Sequence, residues 1–276
     1  MSQENELIFK DNNYRDYSDV SEAVKGHYKK MRTKQTLEYV KRMKTKYLTF
    51  DKPMMLWDAM EKLDGLIDVS DPDINLPNVQ HLIQSAQAMR NDNRPDWMQL
   101  VGLIHDLGKV MYLWGCDEDG TSQAQQWGLV GDIFVVGAKL PNTCTFPEFN
   151  QLNPDMQNPK LNTDLGIYEP KCGLDNLHLA WGHDEYLYQV LKNHKDNTIP
   201  AEGMVMLRYH SFYPWHTKGS YTQFLKDGDE KYKDIINDFN TYDLYTKCEK
   251  ITPLADIKEY YLPIAEKYLG KGPIYW

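Results

Sequence analysis

Apolar residues along this 276-residue chain recur mostly at three- and four-residue steps, the spacing of one face of a helix. In the basic, helix-compatible segment from Val20 to Tyr47, Val24, Tyr28, Met31, Leu37 and Val40 are spaced for one face. Met54 to Leu66 reads as a second amphipathic piece. Asn78 can cap a third that runs through Arg90 and carries His81 in its first turn. Pro95-Asp96 opens the most apolar helix, where Leu100, Leu103, Ile104, Leu107 and Met111 form a stripe that Met98 and Val101 widen nearly all round. Such a helix belongs in the middle of a domain. Further helices are expected at about Asp175 to His194, at Met204 to Tyr213 (stopped by Pro214), at Tyr232 to Tyr245 and at Ile257 to Tyr268.

The rest is less regular. Gly128 to Gly137 is the clearest strand-like stretch, with its turn residues at Gly131-Asp132. Cys116 to Gln126 is polar and reads as a surface loop, and residues 1 to 20 as an irregular arm. Residues 140 to 173 contain five prolines and read as a long, ordered but irregular connection. The expected fold class is therefore mainly α: one helical bundle over residues 1–276, with minor β content.

Composition narrows the function classes. A net charge of −9 and a pI near 5.4, with no long run of lysine or arginine, argue against nucleic acid as a partner. No apolar run approaches the ~18 residues of a membrane span, and the polar N-terminus has no signal-peptide core. Cys116, Cys144, Cys172 and Cys248 form no CxxC pair and read as reduced thiols of an intracellular, cytoplasmic protein. The oligomeric state stays open, a monomer being compatible with the sequence.

Ionisable residues interrupt the apolar pattern at a few places. The central helix carries His105, Asp106 and Lys109. On an ideal helix Asp106 lies about 100° from His105, and Lys109 about 40° from it, between the two and one turn onward. His183 shares a face with Ala180, Leu187 and Val190; His210 follows Met206 and Leu207; Asp243 lies one turn after Phe239. Each alone is ordinarily a hydrogen-bonded core residue or a helix cap. Together with His81 they amount to four imidazoles and two carboxylates on five helices, a set without thiolate that suits iron, manganese or zinc. Asp106 could bridge two ions. Spacing leaves both readings open, a dinuclear site and a set of satisfied core residues. The acidic stretch Asp64 to Asp73 lacks calcium-loop spacing and reads as a solvated turn.

The order His81, His105-Asp106, Asp243 resembles the HD-domain superfamily of helical metal-binding domains. The segments "LDGLIDVSDPD", "GLIHDLGKV", "VGDIF", "CGLDN", "WGHDEYLYQV", "RYHSFYPWHT" and "FNTYDLYTKC" resemble the myo-inositol oxygenase family, from about Tyr14 to Trp276. Two departures stand out: a short, divergent N-terminus, and a longer interval between Lys109 and Gly131, filled by Asp117 to Ala124. The resemblance implies a mixed-valent Fe(II)/Fe(III) pair and the conversion of myo-inositol and O2 to D-glucuronate and water. It implies one iron held by His81, His105, Asp106 and Asp243, and a second held by His183, His210 and the bridging Asp106. It places Arg15, Asp68, Val69, Ser70, Lys109, Gly131, Asp132, His210 and Ser211 around the substrate, and gives Lys109 and Asp106 the catalytic roles. Asp184 is expected to support or cap and not to ligate. His178 and His216 are expected to be structural or surface residues, His27 and His194 solvated, and the Asp117–Ala124 insert peripheral.

Two other classes compete. An HD-domain metal-dependent phosphohydrolase would use the same ligand types but calls for clustered Arg or Lys for phosphate. A non-catalytic scaffold would lack some of the six ligands, and all six are present.

Overall fold

The computed structural model describes residues 17–71, 77–245 and 251–276. Helices α1 (Glu22–Lys34) and α2 (Leu37–Tyr47) open it, where the apolar spacing suggested one continuous segment. The break lies at Gln35–Thr36. The Gln35 side chain is drawn inward, its amide donating to the carbonyls of Trp127 and Trp181 and accepting from the Trp181 N–H at 2.6 Å. Thr36 then caps α2 by accepting from the Tyr39 N–H. Strand β1 (Pro53–Met54) pairs antiparallel with β2 (Ile274–Tyr275), tying the C-terminal end to the first third of the chain.

Helices α3 (Leu56–Lys62), α4 (Asn78–Asn91) and α5 (Asp96–Ile104) follow. Helix α5 is the centre: Leu100, Val101, Leu103 and Ile104 are wholly buried, and α4 packs on it together with α7 (Ala201–Tyr209), α9 (Lys231–Tyr245) and α10 (Leu254–Leu269). Truncating one such leucine to alanine would cost about 2–5 kcal/mol. Helices α6 (His183–Asn193) and the short α8 (Tyr213–His216) complete the set. The fold is mainly α, and its buried apolar residues form one continuous cluster. No helix among the described residues is long and apolar enough to cross a membrane.

Four sequence expectations need correction. Helix α5 does not continue to Lys109: it ends at Ile104, His105 and Asp106 form a turn, and Leu107–Trp114 winds as a tighter 3-10 helix. The tightening begins where the Lys109 N–H bonds the Asp106 carbonyl at 2.9 Å, so helix angles of 100° per residue do not apply beyond His105. Glycine is required in the first turn of this 3-10 helix, because a Cβ on Gly108 would lie 2.2 Å from the His183 carbonyl oxygen. Helix α6 begins at His183, not near Asp175, because Ala180 and His178 pair instead with Phe134 and Val136. Those same bonds are all that becomes of the strand-like stretch 128–137: an isolated bridge between Val135 and Leu179.

The fourth correction concerns the insert. Asp119 and Thr121 are buried, with Asp119 accepting from Lys46 at 2.5 Å and from the Tyr47 hydroxyl at 3.0 Å. The Tyr39 hydroxyl donates to the Asp119 carbonyl at 2.6 Å. The loop is docked on α2, not peripheral.

Candidate metal centre

The turn after α5 aims two ligands inward. His105 donates from Nδ1 to the Gly102 carbonyl at 2.8 Å, so its Nε2 presents a lone pair. That Nε2 lies 3.1 Å from Nε2 of His81 on α4 and 3.2 Å from Oδ1 of Asp243 on α9. Asp243 in turn lies 2.8 Å from His81. The Nδ1 of His183, at the start of α6, donates to the Leu129 carbonyl at 2.9 Å. His210, which ends α7, turns Nδ1 toward the Met206 and Leu207 carbonyls and toward Asp184, 3.1 Å away. The Nε2 atoms of His183 and His210 consequently face each other at 3.3 Å, with Asp106 Oδ1 at 2.9 Å from the first and 3.7 Å from the second.

Asp106 joins the two groups. Its Oδ2 lies 3.9 Å from His81 and 3.8 Å from His105, while Oδ1 serves the other pair. Potential ligand atoms therefore cluster as His81–His105–Asp106, with Asp243 beside them, and as Asp106–His183–His210. In the second cluster two imidazole lone pairs and a carboxylate oxygen converge, tautomers being inferred from the hydrogen bonds. Buried acceptors that face one another without a donor fit a cation. The donor set is nitrogen and oxygen only, as hard or borderline divalent ions prefer.

Electrostatics agree with that fit. Burial works against the charge of Asp106, but Lys109, His105 and His183 overrule it and hold the carboxyl well below its ordinary value. Asp243 is held low in the same way by His105 and His81. Burial opposes protonation of His210, yet Asp184, Asp106 and Asp243 push it up to about 9, a field that favours any positive charge at this position.

Above the clusters lies a cleft with about 690 Å³ of open space. Asp68, Ser70, Lys109, Gly131, Asp132, His210 and Ser211 line it, as the sequence suggested, together with His81, Asp106, His183 and Asp243. His105 is sealed beneath. Val69 is not in the lining: its side chain is exposed and its N–H is taken by Gln126. Arg15 lies outside the described residues. Lys109 is wholly buried, its Nζ 2.7 Å from both Asp68 and Asp106. Burial opposes its charge, but those two carboxylates outweigh it and raise its pKa.

Several contributors were not singled out from sequence. Asn78 is the first residue of α4, after Pro77, and not its cap; its amide donates to Asp106 Oδ2 at 2.9 Å. Asp71, Tyr213 and Leu244 also line the cleft. Asp132 is held by the Tyr28 hydroxyl at 3.3 Å and by Thr145. Asp184 accepts from Ser211 at 3.0 Å and faces His210, the supporting place expected of it. His216 is buried and donates to the His210 carbonyl at 3.0 Å. His27 is not solvated: it is buried and donates to the Val130 carbonyl at 3.1 Å, with burial lowering its pKa. His194 is half-buried and bonds the Leu269 carbonyl at 2.7 Å. Apart from Asp184, only long-range packing reveals the places of these residues.

A family model described as myo-inositol oxygenase matches residues 21–276. The chain belongs to the myo-inositol oxygenase family. Inositol oxygenase of Mus musculus is 40% identical over 276 residues, covering 98% of this chain and 93% of the mouse protein. The Danio rerio inositol oxygenase is 43% identical over 263 residues (94% of this chain, 90% of the relative). A probable inositol oxygenase of Oryza sativa is 41% identical over 258 residues, 93% of this chain and 82% of the relative. Membership spans every described element of the cleft. The HD-phosphohydrolase alternative is not favoured.

Proposed function

We propose that this chain is an inositol oxygenase that opens the ring of myo-inositol with O2 to give D-glucuronate and water. One C–C bond breaks; one oxygen atom of O2 enters the new carboxylate and the other leaves as water, a four-electron oxidation without a cosubstrate. The observation that carries the reading is the pair of ligand clusters joined through the two oxygens of Asp106, in a chain of this family. The cofactor proposed is two iron ions, Fe(II)/Fe(III), one held by His81, His105, Asp106 and Asp243 and the other by His183, His210 and Asp106. When bound, the pair supplies redox capacity toward O2 and Lewis acidity that makes a hydroxyl of the polyol more acidic.

The chain's own groups position the polyol. An uncharged ring with six hydroxyls needs acceptors and donors, not a basic cradle. Asp68, Ser70, Asp132 and Ser211 supply them around the cleft, and Asp71 adds another carboxylate. Lys109 uses two of its three N–H bonds on Asp68 and Asp106. The third is available to a substrate oxygen, where it stabilises the negative charge that grows as the hydroxyl proton leaves. We assign Arg15 to the same substrate shell on the family resemblance alone.

A phosphate ester would find little purchase: among the described residues no arginine lines the cleft, and Lys109 is committed to two carboxylates. All six ligands come from one chain, which supports a single catalytic unit over the whole length that needs no second copy. Cys116, Cys144 and Cys172 are free thiols, in keeping with a reducing cytoplasm. The test is oxygen uptake by the iron-loaded protein with myo-inositol, measured against glucuronate formed. One O2 per glucuronate is expected; phosphate release from nucleotides without inositol-dependent uptake would overturn the reading.

A further inference from the structure

The loop that contains the docked insert ends at Gln126, a side chain that grips the rim of the cleft. Gln126 is buried, and its Nε2 donates to the Ile67 carbonyl at 3.0 Å while its Oε1 accepts from the Val69 N–H at 3.3 Å. These are the peptide groups on either side of Asp68. One amide thus holds both flanks of that residue, as a neighbouring strand would. Its Nε2 also donates to the Gln123 carbonyl at 3.1 Å, and Gln123 donates to the Gly65 carbonyl at 2.9 Å. The backbone of Ile67–Ser70 belongs to no helix or strand, with only a turn at Val69–Ser70. A loop without a main-chain ladder opens easily unless side chains restrain it. At its other end the insert is anchored on α2 through Asp119, with Lys46, Tyr47 and Tyr39 as partners.

We propose that Gln126 is a positioning residue for the polyol, and that the Cys116–Gln126 loop is the arm that carries it. By fixing the Ile67 and Val69 peptide groups, Gln126 sets where the Asp68 carboxylate meets Lys109 and a substrate hydroxyl. Gln123 steadies the same segment one turn earlier. Gln126 itself lies outside the cleft lining and touches no metal ligand. The inference rests on Asp68 contacting the substrate.

The test uses the full, iron-loaded chain and four variants: Gln126→Leu, the isosteric Gln126→Glu, Asp68→Asn, and Asp68→Asn combined with Gln126→Leu. Iron content, Tm, kcat, KM and the anaerobic Kd for myo-inositol are measured. Gln126→Leu should keep parental iron content while Kd and KM rise by about tenfold to a hundredfold, with kcat changing less. Gln126→Glu keeps an acceptor for the Val69 N–H but sets a carboxylate against the Ile67 carbonyl, and should also bind inositol more weakly. Because Gln126 acts through Asp68, the double variant should bind no worse than Asp68→Asn alone. Parental Kd in Gln126→Glu, loss of iron along with binding, or losses that multiply in the double variant would each overturn the proposal. If Asp68→Asn is impaired and the Gln126 variants are not, only the positioning role fails. If Asp68→Asn binds inositol like the parent, the reading of Asp68 fails with it.

Discussion

The floor of the cleft and its rim are built on opposite plans. On the floor, His105 and His210 each close a helix and are oriented by a carbonyl three or four residues back, while His183 opens a helix against the Leu129 carbonyl. For His105 and His210 ligand direction follows from local backbone geometry, whereas His183 takes its direction from a carbonyl 54 residues away. On the rim, Ser70 bonds Asp68 locally, but Lys109 and Gln126 reach Asp68 and its flanks from 41 and about 60 residues away, and Tyr28 reaches Asp132 from 104. In a site of this kind the proposed metal ligands hang largely on helix ends, while the groups proposed to meet the polyol depend more on tertiary contacts. The difference also predicts which damage stays local.

The largest effect should follow from Asp106→Ala, because both clusters share that carboxylate. Iron content should fall from about two per chain to near none, and turnover should vanish; elemental analysis of protein loaded with excess iron measures it. Retention of one tightly bound ion would mean that the floor is two independent sites.

Next comes Lys109→Ala, which cuts a direct tie between Asp106 on the floor and Asp68 on the rim. We expect iron content to persist while turnover with inositol drops by more than about a hundredfold. Should iron leave together with activity, floor and rim are a single electrostatic unit and the contrast drawn above is wrong.

A smaller, one-sided effect is expected of Asp184→Asn. It weakens the acceptor that faces His210 Nδ1, so affinity for the second ion should fall about 10- to 100-fold while the first is untouched. Titrating iron into the apoprotein would then show two separated binding steps. His210→Ala should exaggerate the same separation.

The floor was largely legible in the sequence, and the rim was not. His81, His105, His183, His210 and Asp243 stood out because a polar residue at helical spacing among apolar ones is conspicuous, and the family segments supplied their grouping. Even there the local geometry was misjudged: the α5 helix angles carried Lys109 to the right neighbours, although the chain leaves the α-helix at His105. Asn78 was read as a cap because its position suits one, and nothing in its spacing shows that Asp106 claims its amide. Gln126 lies in a run of polar loop residues whose partners are about 60 positions away, and no periodicity reports such pairs. The strand-like stretch 128–137 misled for a related reason, since β pairing depends on a partner and only one bridge was on offer.

The smallest effect tests the arm that serves the rim. Burial pushes the Asp119 carboxyl up, but hydrogen bonds from Lys46 and Tyr47 pull it below its ordinary value. Its contribution to stability is therefore complete above about pH 4, the unfolded carboxylate's pKa, and is lost as pH falls through the depressed folded value. Lys46 is half-exposed, so screening limits the pair to ~1 kcal/mol or less. Asp119→Asn should lower Tm by roughly 1–3 °C at pH 7, with the two melting curves drawing together below about pH 4. A gap that stays constant down to acid pH would show that Asp119 acts through shape and not charge.

The missing side chain at Gly108 works as a spacer of no thickness. The turn bearing Asp106 can lie against the first residue of α6 only because nothing projects from that position toward the His183 carbonyl. A single methyl group there would wedge the turn away from α6 and lengthen the reach from Asp106 Oδ1 to His183, while His81, His105 and Asp243 kept their mutual distances. The separation between the two halves of the floor is thus gauged by an absence, one that no side-chain substitution can shorten and almost any would widen.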